Sequence, residues 1–423
     1  VTALRKPPRE IRPAKNAFEE RPMKSGFAAL AVFALFTGGF GALQAEARTW
    51  RIEEGQSAAL AQAFAQAGGE DTIRIDRGTY MLAAGVTLNA ARATVRGAGV
   101  DQTILSFQSA APGAGLQINA PRVRLEGFTI QDAQGDAVSA RNCDGLQVSG
   151  VRARWQSAAP AGASGVHVSA CANVLIERSS AERAAFAGLY LEGVRNAIVS
   201  QNSARGAYIG LALANVTNVD ATENQLGSNA IGAAVFDTPA IAQGGGVRLF
   251  RNTIADNNAQ SPAPADATFA AMPTSLGVLI MGARNVHVLD NDITNHGSTH
   301  VLIMAYPGSS GGNASFIPIA RDVMIRNNRF GAAGNAPQGA LANLGGVLPD
   351  VIWDGADTYF GAGAPRTAIP RVVMRDNRST RGGIGSFLSL GLSAAGTPFN
   401  EAAPNPAFPP LINLAEPERV RLD

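Results

Sequence analysis

Ala197-Ile-Val-Ser-Gln-Asn202 and Val219-Asp-Ala-Thr-Glu-Asn224 share one pattern: a small or branched apolar residue, a second apolar residue two positions on, and Asn five positions on. The pattern recurs at Val247–Asn252, Val286–Asn291, Val323–Asn328 and Val372–Asn377. Earlier copies, Val123–Phe128, Leu146–Val151 and Val174–Ser179, have the same shape without the Asn. From Asn202 to Asn224 is 22 residues, and from Ser179 to Asn202 is 23. A unit this short holds two or three brief strands and cannot bury its own apolar face. It becomes stable only by stacking on copies of itself, one parallel strand layer of about 4.8 Å per turn. The spacing therefore predicts an all-β solenoid, a parallel β-helix.

Each repeat continues past the Asn into a Gly-led strand: Gly165-Val-His-Val, Gly188-Leu-Tyr-Leu, Gly210-Leu-Ala-Leu, Gly232-Ala-Ala-Val and Gly277-Val-Leu-Ile. Alternation places Val166, Leu189, Leu211 and Val278 inside, and His167, Tyr190, Ala212 and Leu279 outside. Ser57 to Ala67 reads as a short helix with Ser57 as N-cap, Leu60 and Phe64 on one face, and Gly68-Gly69 as its end. Its expected task is to cover the first coil, because an open strand edge invites aggregation. Thr72–Ile75 and Ala93–Arg96 read as short strands.

Four domain segments follow. Residues 1–22 are Arg- and Pro-rich and read as an over-extended translation start, with Met23 the initiator. Residues 23–47 combine Lys24, an apolar run from Gly26 to Ala42 and Ala45-Glu46-Ala47. That is the form of a secretory signal peptide; an uncleaved anchor is the alternative. Residues 48–392 form the β-helix, and 393–423 an irregular Pro-rich tail on the last coil. The expected location is exported, periplasmic or extracellular. Residues 1–47 hold seven of the 35 basic and four of the 33 acidic side chains, so the remainder carries 28 and 29. No broad basic field is left to attract nucleic acid, and no Lys remains to act as base or Schiff-base nucleophile.

Later repeats are longer, with insertions assigned to Thr238–Gly246, Ala259–Ser275, Pro307–Ala320 and within Gly331–Pro370. Long loops on a regular scaffold commonly carry function. His296 and His300 stand in the turn Asn295-His-Gly-Ser-Thr-His300. Asn229, Asn257 and His296 share one offset in successive repeats, a polar stripe beside the insertions. Asp237 and Tyr306 end Gly-led strands where two loops leave. Asp237, Asn257, His296, His300 and Tyr306 are thus the candidate substrate-binding residues, able to hydrogen-bond sugar hydroxyls or stack on a ring. The outward residues Phe236, Leu279, Met281 and Met304 are either covered by loops or form a binding platform.

The Asn register itself reads as structural, with Asn tolerating left-handed turns and stacking coil on coil. Glu223, Arg251 and Asp290, each just before it, read as an exposed charge stack. Cys143 and Cys171 occupy one register a coil apart, a place held by Val194 and Val216 in the next two. Both sulfurs should point inward; stacking brings them within disulfide reach, while parallel side chains make the torsion awkward, so the bond stays open. His-x-x-x-His is a poor metal pair outside a helix, and no motif calls for a metal or cofactor.

Gly69-Glu-Asp-Thr-Ile-Arg-Ile75 with Gly78-Thr-Tyr80, then Arg96-Gly-Ala-Gly99 with Thr103-Ile-Leu105, resemble the opening coils of pectin-lyase-like right-handed parallel β-helices. The Asn-ended rungs are similar to the carbohydrate-binding and sugar-hydrolase repeats of that superfamily. Exported bacterial β-helix repeat proteins are nearest in character, over roughly residues 69–390. The resemblance implies a right-handed helix and a polysaccharide partner. Pectate lyases of this kind use clustered Asp for Ca²⁺ with an Arg or Lys base, and mannuronan epimerases an Asp-Pro-His-Asp motif. This chain has no Pro-His pair and no outward Asp column on its Gly-led strands. Two functions stay open: polysaccharide binding or an envelope role through a loop-lined side groove, and a lyase, hydrolase or epimerase acting on an acidic glycan. Outward Ala212, Ala214, Ala234 and Leu279, where a catalytic β-helix would carry charge, favour binding.

Overall fold

One repeat makes one coil of three straight segments. In the coil that carries Asn224 these are Ile209–Ala214, Thr217–Thr222 and Gln225–Gly227. The computed structural model describes residues 46–260, 269, 272–308, 313–361 and 363–422. The residues read as an over-extended start (1–22) and almost all of those read as a signal peptide (23–47) lie outside the described residues. Among those described, no helix is long and apolar enough to cross a membrane.

Coils stack in parallel register. Val174, Ala197, Val219, Val247, Val286, Val323 and Val372 are successive partners in one column. The Gly-led segments form a sheet of 11 strands and the other two segments a continuous sheet of 21. Val166, Leu189, Leu211 and Val278 are buried inside as expected. The helix α1 (Ser57–Gln66) buries Leu60, Ala63 and Phe64 against the first coils. Its N-cap position is Gln56 rather than Ser57, which is the first helical residue.

The six asparagines form one buried column. Asn252 shows the rule: its Oδ1 accepts from the backbone N and Nδ2 of Asn224 at 2.9 and 3.0 Å, and its Nδ2 donates to Ala221 O and Asn291 Oδ1, both at 3.0 Å. Stacking is thus as expected, but the left-handed backbone is not on the Asn. It falls on the residue before, Gln201, Glu223, Arg251, Asp290, Asn327 and Asp376, with φ between 54° and 58°. That conformation turns the chain sharply enough to aim the following amide into the coil. Gln201 and Arg251 both bond Glu223 across coils at the surface.

Cys143 and Cys171 are joined in a buried disulfide, with Cα atoms 4.5 Å apart. The tail does more than lie on the last coil. Leu414 packs with Leu289, Met324 and Val373 on the outer face of the larger sheet. Glu416 bonds Arg248 and Arg326, and the Val420 amide bonds Asp220 Oδ2. Beneath it, Arg248 and Asp220 pair at 2.8 and 2.5 Å, with side chains only 4% and 9% exposed.

The 11-stranded sheet is covered on its outer face too, along its C-terminal half. Ala212, Ala234, Leu279, Met281 and Leu302 are fully buried beneath Tyr208, Met272, Leu341, Leu348 and Leu392. Of the two possibilities for this apolar face, loop coverage is the one realised.

Candidate functional site

Four of the five side chains singled out from the sequence are buried. Asn257, His296 and His300 are 0%, 2% and 0% exposed, which places them inside the coil and not on a loop rim. They continue a second ladder that begins at Asn229, whose Nδ2 donates to Asn257 Oδ1 at 3.1 Å. Asn257 Nδ2 lies 3.2 Å from His296 Nε2, His296 Nδ1 lies 2.9 Å from His300 Nδ1, and His300 Nε2 lies 3.1 Å from Gly331 O.

One proton arrangement satisfies the whole chain: Asn257 donates to His296 Nε2, His296 Nδ1–H donates to His300 Nδ1, and His300 Nε2–H donates to Gly331 O. Both rings are then neutral. Burial lowers both pKa values, that of His296 well below 6.5, with the neighbouring His300 adding to it. Room for this ladder comes from the Gly-led positions. A Cβ on Gly232 would lie 2.7 Å from Asn257 Nδ2, and one on Gly277 would lie 3.0 Å from His296 Cε1.

Asp237 and Tyr306 sit elsewhere, past the far ends of their strands, flanking Gly282. Asp237 is buried and accepts from the Gly244 amide at 3.2 Å; burial raises its carboxyl to about 6. Half-buried Tyr306 meets the edge of Phe316 at 5.5 Å. The structure therefore brings Asn257, His296 and His300 together without a solvent-facing surface, and separates them from the other two.

The solvent-facing part of the Gly-led sheet is its N-terminal half. In register outward along it stand Thr87, Gln117, Ser139, His167 and Tyr190. One pleat further, Asn119, Arg141, Ser169 and Glu192 also face out. A hollow of about 500 Å³ is lined by Gln117, Asn119, Asp136, Ser139 and Arg141, with the backbone of Gly162 on its rim. Exposed Arg141 has no carboxylate within 4.0 Å among the described residues, hydrogen-bonds Ser139 Oγ at 3.5 Å, and its charge helps to lower the Glu192 carboxyl.

Beside this hollow lies a cluster of titratable side chains on the open face. His167 Nδ1 is 2.9 Å from Asp136 Oδ2, and its Nε2 is 3.8 Å from Glu192 Oε2. The Tyr190 ring stacks on the imidazole at 4.5 Å, and its hydroxyl donates to Glu192 Oε1 at 3.1 Å. Burial opposes the charged imidazole, but the hydrogen bond to Asp136 and the nearby Glu192 carboxylate outweigh it and raise His167 to about 9. The same His167 contact, against the pull of burial, holds Glu192 below its ordinary value. At neutral pH the cluster is an imidazolium between two carboxylates, with Glu192 still about one-third exposed. It can accept from hydroxyls and donate to them; His167, already protonated, is an acid rather than a base. Among the described residues no three His, Cys, Asp or Glu side chains converge as a metal site.

Sequence reasoning placed His167 and Tyr190 on the outer face but did not select them. Asp136 and Glu192 belong to no motif, and they meet His167 only because the neighbouring coils stack. The apparent shortage of charge on this face came from reading Ala212, Ala214, Ala234 and Leu279, which are covered. The exposed half does carry charge.

A family model described as "Right handed beta helix region" matches residues 114–261. Among solved structures, the chain is similar to the A-module of mannuronan C-5 epimerase AlgE4 of Azotobacter vinelandii, at 16% identity over 79% of this chain and 85% of that one, with a TM-score of 0.53. The AlgE6 A-module of the same organism gives 18% identity, 77% and 81% coverage, and a TM-score of 0.53. An alginate lyase from Paenibacillus sp. str. FPU-7 gives 11% identity, 82% and 99% coverage, and 0.47. No curated protein matches the sequence. The fold is a right-handed parallel β-helix.

Proposed function

We propose that this protein binds a polysaccharide along the open half of its Gly-led sheet, as an exported protein working in the periplasm or outside the cell. The observation that carries the reading is the hollow beside the Asp136–His167–Glu192 cluster. Amides, a hydroxyl, an exposed guanidinium and two carboxylates gather there from neighbouring coils. Such a set suits a ligand with many hydroxyls and some negative charge. Five strands at about 4.8 Å give a groove of about 19 Å, the length of a few sugar units. The candidate residues Asn257, His296 and His300 are proposed to hold the coil together rather than to touch glycan. The buried disulfide fits an oxidising compartment.

A direct test measures binding of mannuronan, polygalacturonate and a neutral α-1,3-glucan to the protein and to Arg141→Ala and Gln117→Ala. Mannuronan is included because two proteins that share the fold are named for acting on it. Arg141→Ala should weaken an acidic glycan about tenfold or more with an unchanged Tm, since it removes a charged contact worth about 1.5–3 kcal/mol. Unchanged binding in both variants would place the site elsewhere.

The second reading is turnover of an acidic glycan, as a lyase, hydrolase or epimerase. It is favoured by the Tyr190–Glu192 and His167–Asp136 contacts, which set proton donors and acceptors side by side on the open face. Incubation with each polymer, followed by ultraviolet absorbance, reducing ends and proton NMR, separates the three reactions. No change in any polymer leaves binding as the function.

A further inference from the structure

The groove has one closed end. Along the outward column, Tyr190 is followed in register by Ala212, Ala234, Leu279 and Leu302, and all four of these are 0% exposed. Phe186 stands at the step, edge-on to Tyr190 at 5.2 Å and to Phe269 at 5.4 Å. Phe269 in turn meets the Phe236 ring at 5.2 Å, and its carbonyl accepts from the Tyr208 hydroxyl at 2.7 Å. Tyr208 is itself 1% exposed, so the wall is anchored in the apolar layer over the sheet. Toward the other end Gln117, Asn119 and Asn89 face solvent.

A polymer lying along the coil axis can therefore run out over Gln117 and Asn89 but cannot continue past Tyr190. Resting on the polysaccharide-binding reading, we infer that the groove receives the end of a glycan chain and not an interior segment. The last sugar abuts the Phe186 wall and meets the His167, Tyr190 and Glu192 cluster, which offers donors and acceptors to the extra hydroxyl that only a chain end carries. Arg141 and Gln117 hold the units behind it.

Binding to chain ends scales with the number of molecules, whereas binding to interior segments scales with mass. Mannuronan, polygalacturonate and the α-1,3-glucan are each prepared at average lengths of about 10 and about 200 units and titrated. For a polymer that binds, Kd in mass concentration should be about twentyfold lower for the short preparation, and Kd in chain molarity the same for both. A mass-based Kd independent of length overturns the inference while leaving polysaccharide binding intact. Absence of binding by all three refutes the binding reading and this inference together. Phe186→Ala lowers the wall, and a folded variant, checked by its Tm, should shift toward the length-independent mass-based Kd. A folded variant that keeps the full twentyfold difference counts against Phe186 as the stop.

Discussion

Replacing Asn252 by Ala tests whether the coils are held in register by their buried amide column. The side chain is 2% exposed and makes four hydrogen bonds, two as acceptor from Asn224 and two as donor to Ala221 O and Asn291 Oδ1. Not all partners are orphaned by its loss. Asn224 Nδ2 keeps Val199 O, and Asn291 Oδ1 keeps the Asn252 amide. The Asn224 backbone N–H loses its acceptor inside the coil, at about 1–3 kcal/mol, and the remaining net bonds add about 1 kcal/mol or more. A loss of about 3 kcal/mol is expected, on a par with opening a hole in an apolar core. Urea unfolding followed by circular dichroism reads it as a lower midpoint with an unchanged slope, provided the coils unfold together. Asn252→Asp is the companion variant, since it keeps the shape and aims an oxygen at two acceptors; it should be at least as damaging. If Asn252→Ala stays within about 1 kcal/mol of the parent protein, the ladder is not what holds the coils in register.

Other outcomes follow from the same geometry. The neutral His296–His300 pair contributes stability that is complete above pH 6.5 and is lost as pH falls below it, because both folded pKa values are lowered and the unfolded chain takes up the protons first. Asp237 and Asp354, pushed up to about 6 by burial, act in the opposite sense below pH 6, so the readout is the difference between variant and parent. His296→Asn should lose less stability from pH 6.5 to 5, by up to about 1.4 kcal/mol per pH unit, and an identical slope would contradict a neutral pair. His167 behaves inversely: its folded pKa is raised to about 9, so its contribution is full below pH 6.5 and fades as pH rises to 9; His167→Gln should flatten that alkaline loss in denaturation curves. Arg248→Ala strands Asp220 beneath the tail and should cost about 3–5 kcal/mol in urea unfolding, whereas breaking the exposed pair Arg251–Glu223 should leave the midpoint nearly unchanged. Protein recovered from the envelope should begin at Arg48 by intact mass, and a retained Gly26–Ala42 segment would favour the anchored alternative.

The helix, its repeat length, the Asn column and the inward residues of the Gly-led strands were all legible in the residues, because period and alternation are local. A strand that buries alternate side chains writes its inner face into any stretch of four residues, as Gly188-Leu-Tyr-Leu191 does. An amide recurring at the same place in each repeat likewise reports a stack, whatever lies between. Even the His296 register was visible as the continuation of Asn229 and Asn257. What alignment could not decide was on which side of the wall that column lies. An offset fixes a position along the coil, whereas the turn geometry, set by the left-handed residues Ser228, Asp256 and Asn295, aims the next side chain inward.

Coverage was equally out of reach. The apolar outer face beyond Tyr190 and the polar one before it have the same alternation, and the loops that separate them carry no period. Their packing onto Ala212, Leu279 and Leu302 depends on contacts between residues as far apart as Tyr208 and Phe269. The sequence alone determined that this chain stacks into a parallel β-helix, since each repeat is too short to bury itself. Only the tertiary structure decided which stretch of its wall meets solvent, because a loop's path is set by the surface it finds to cover and not by its own spacing.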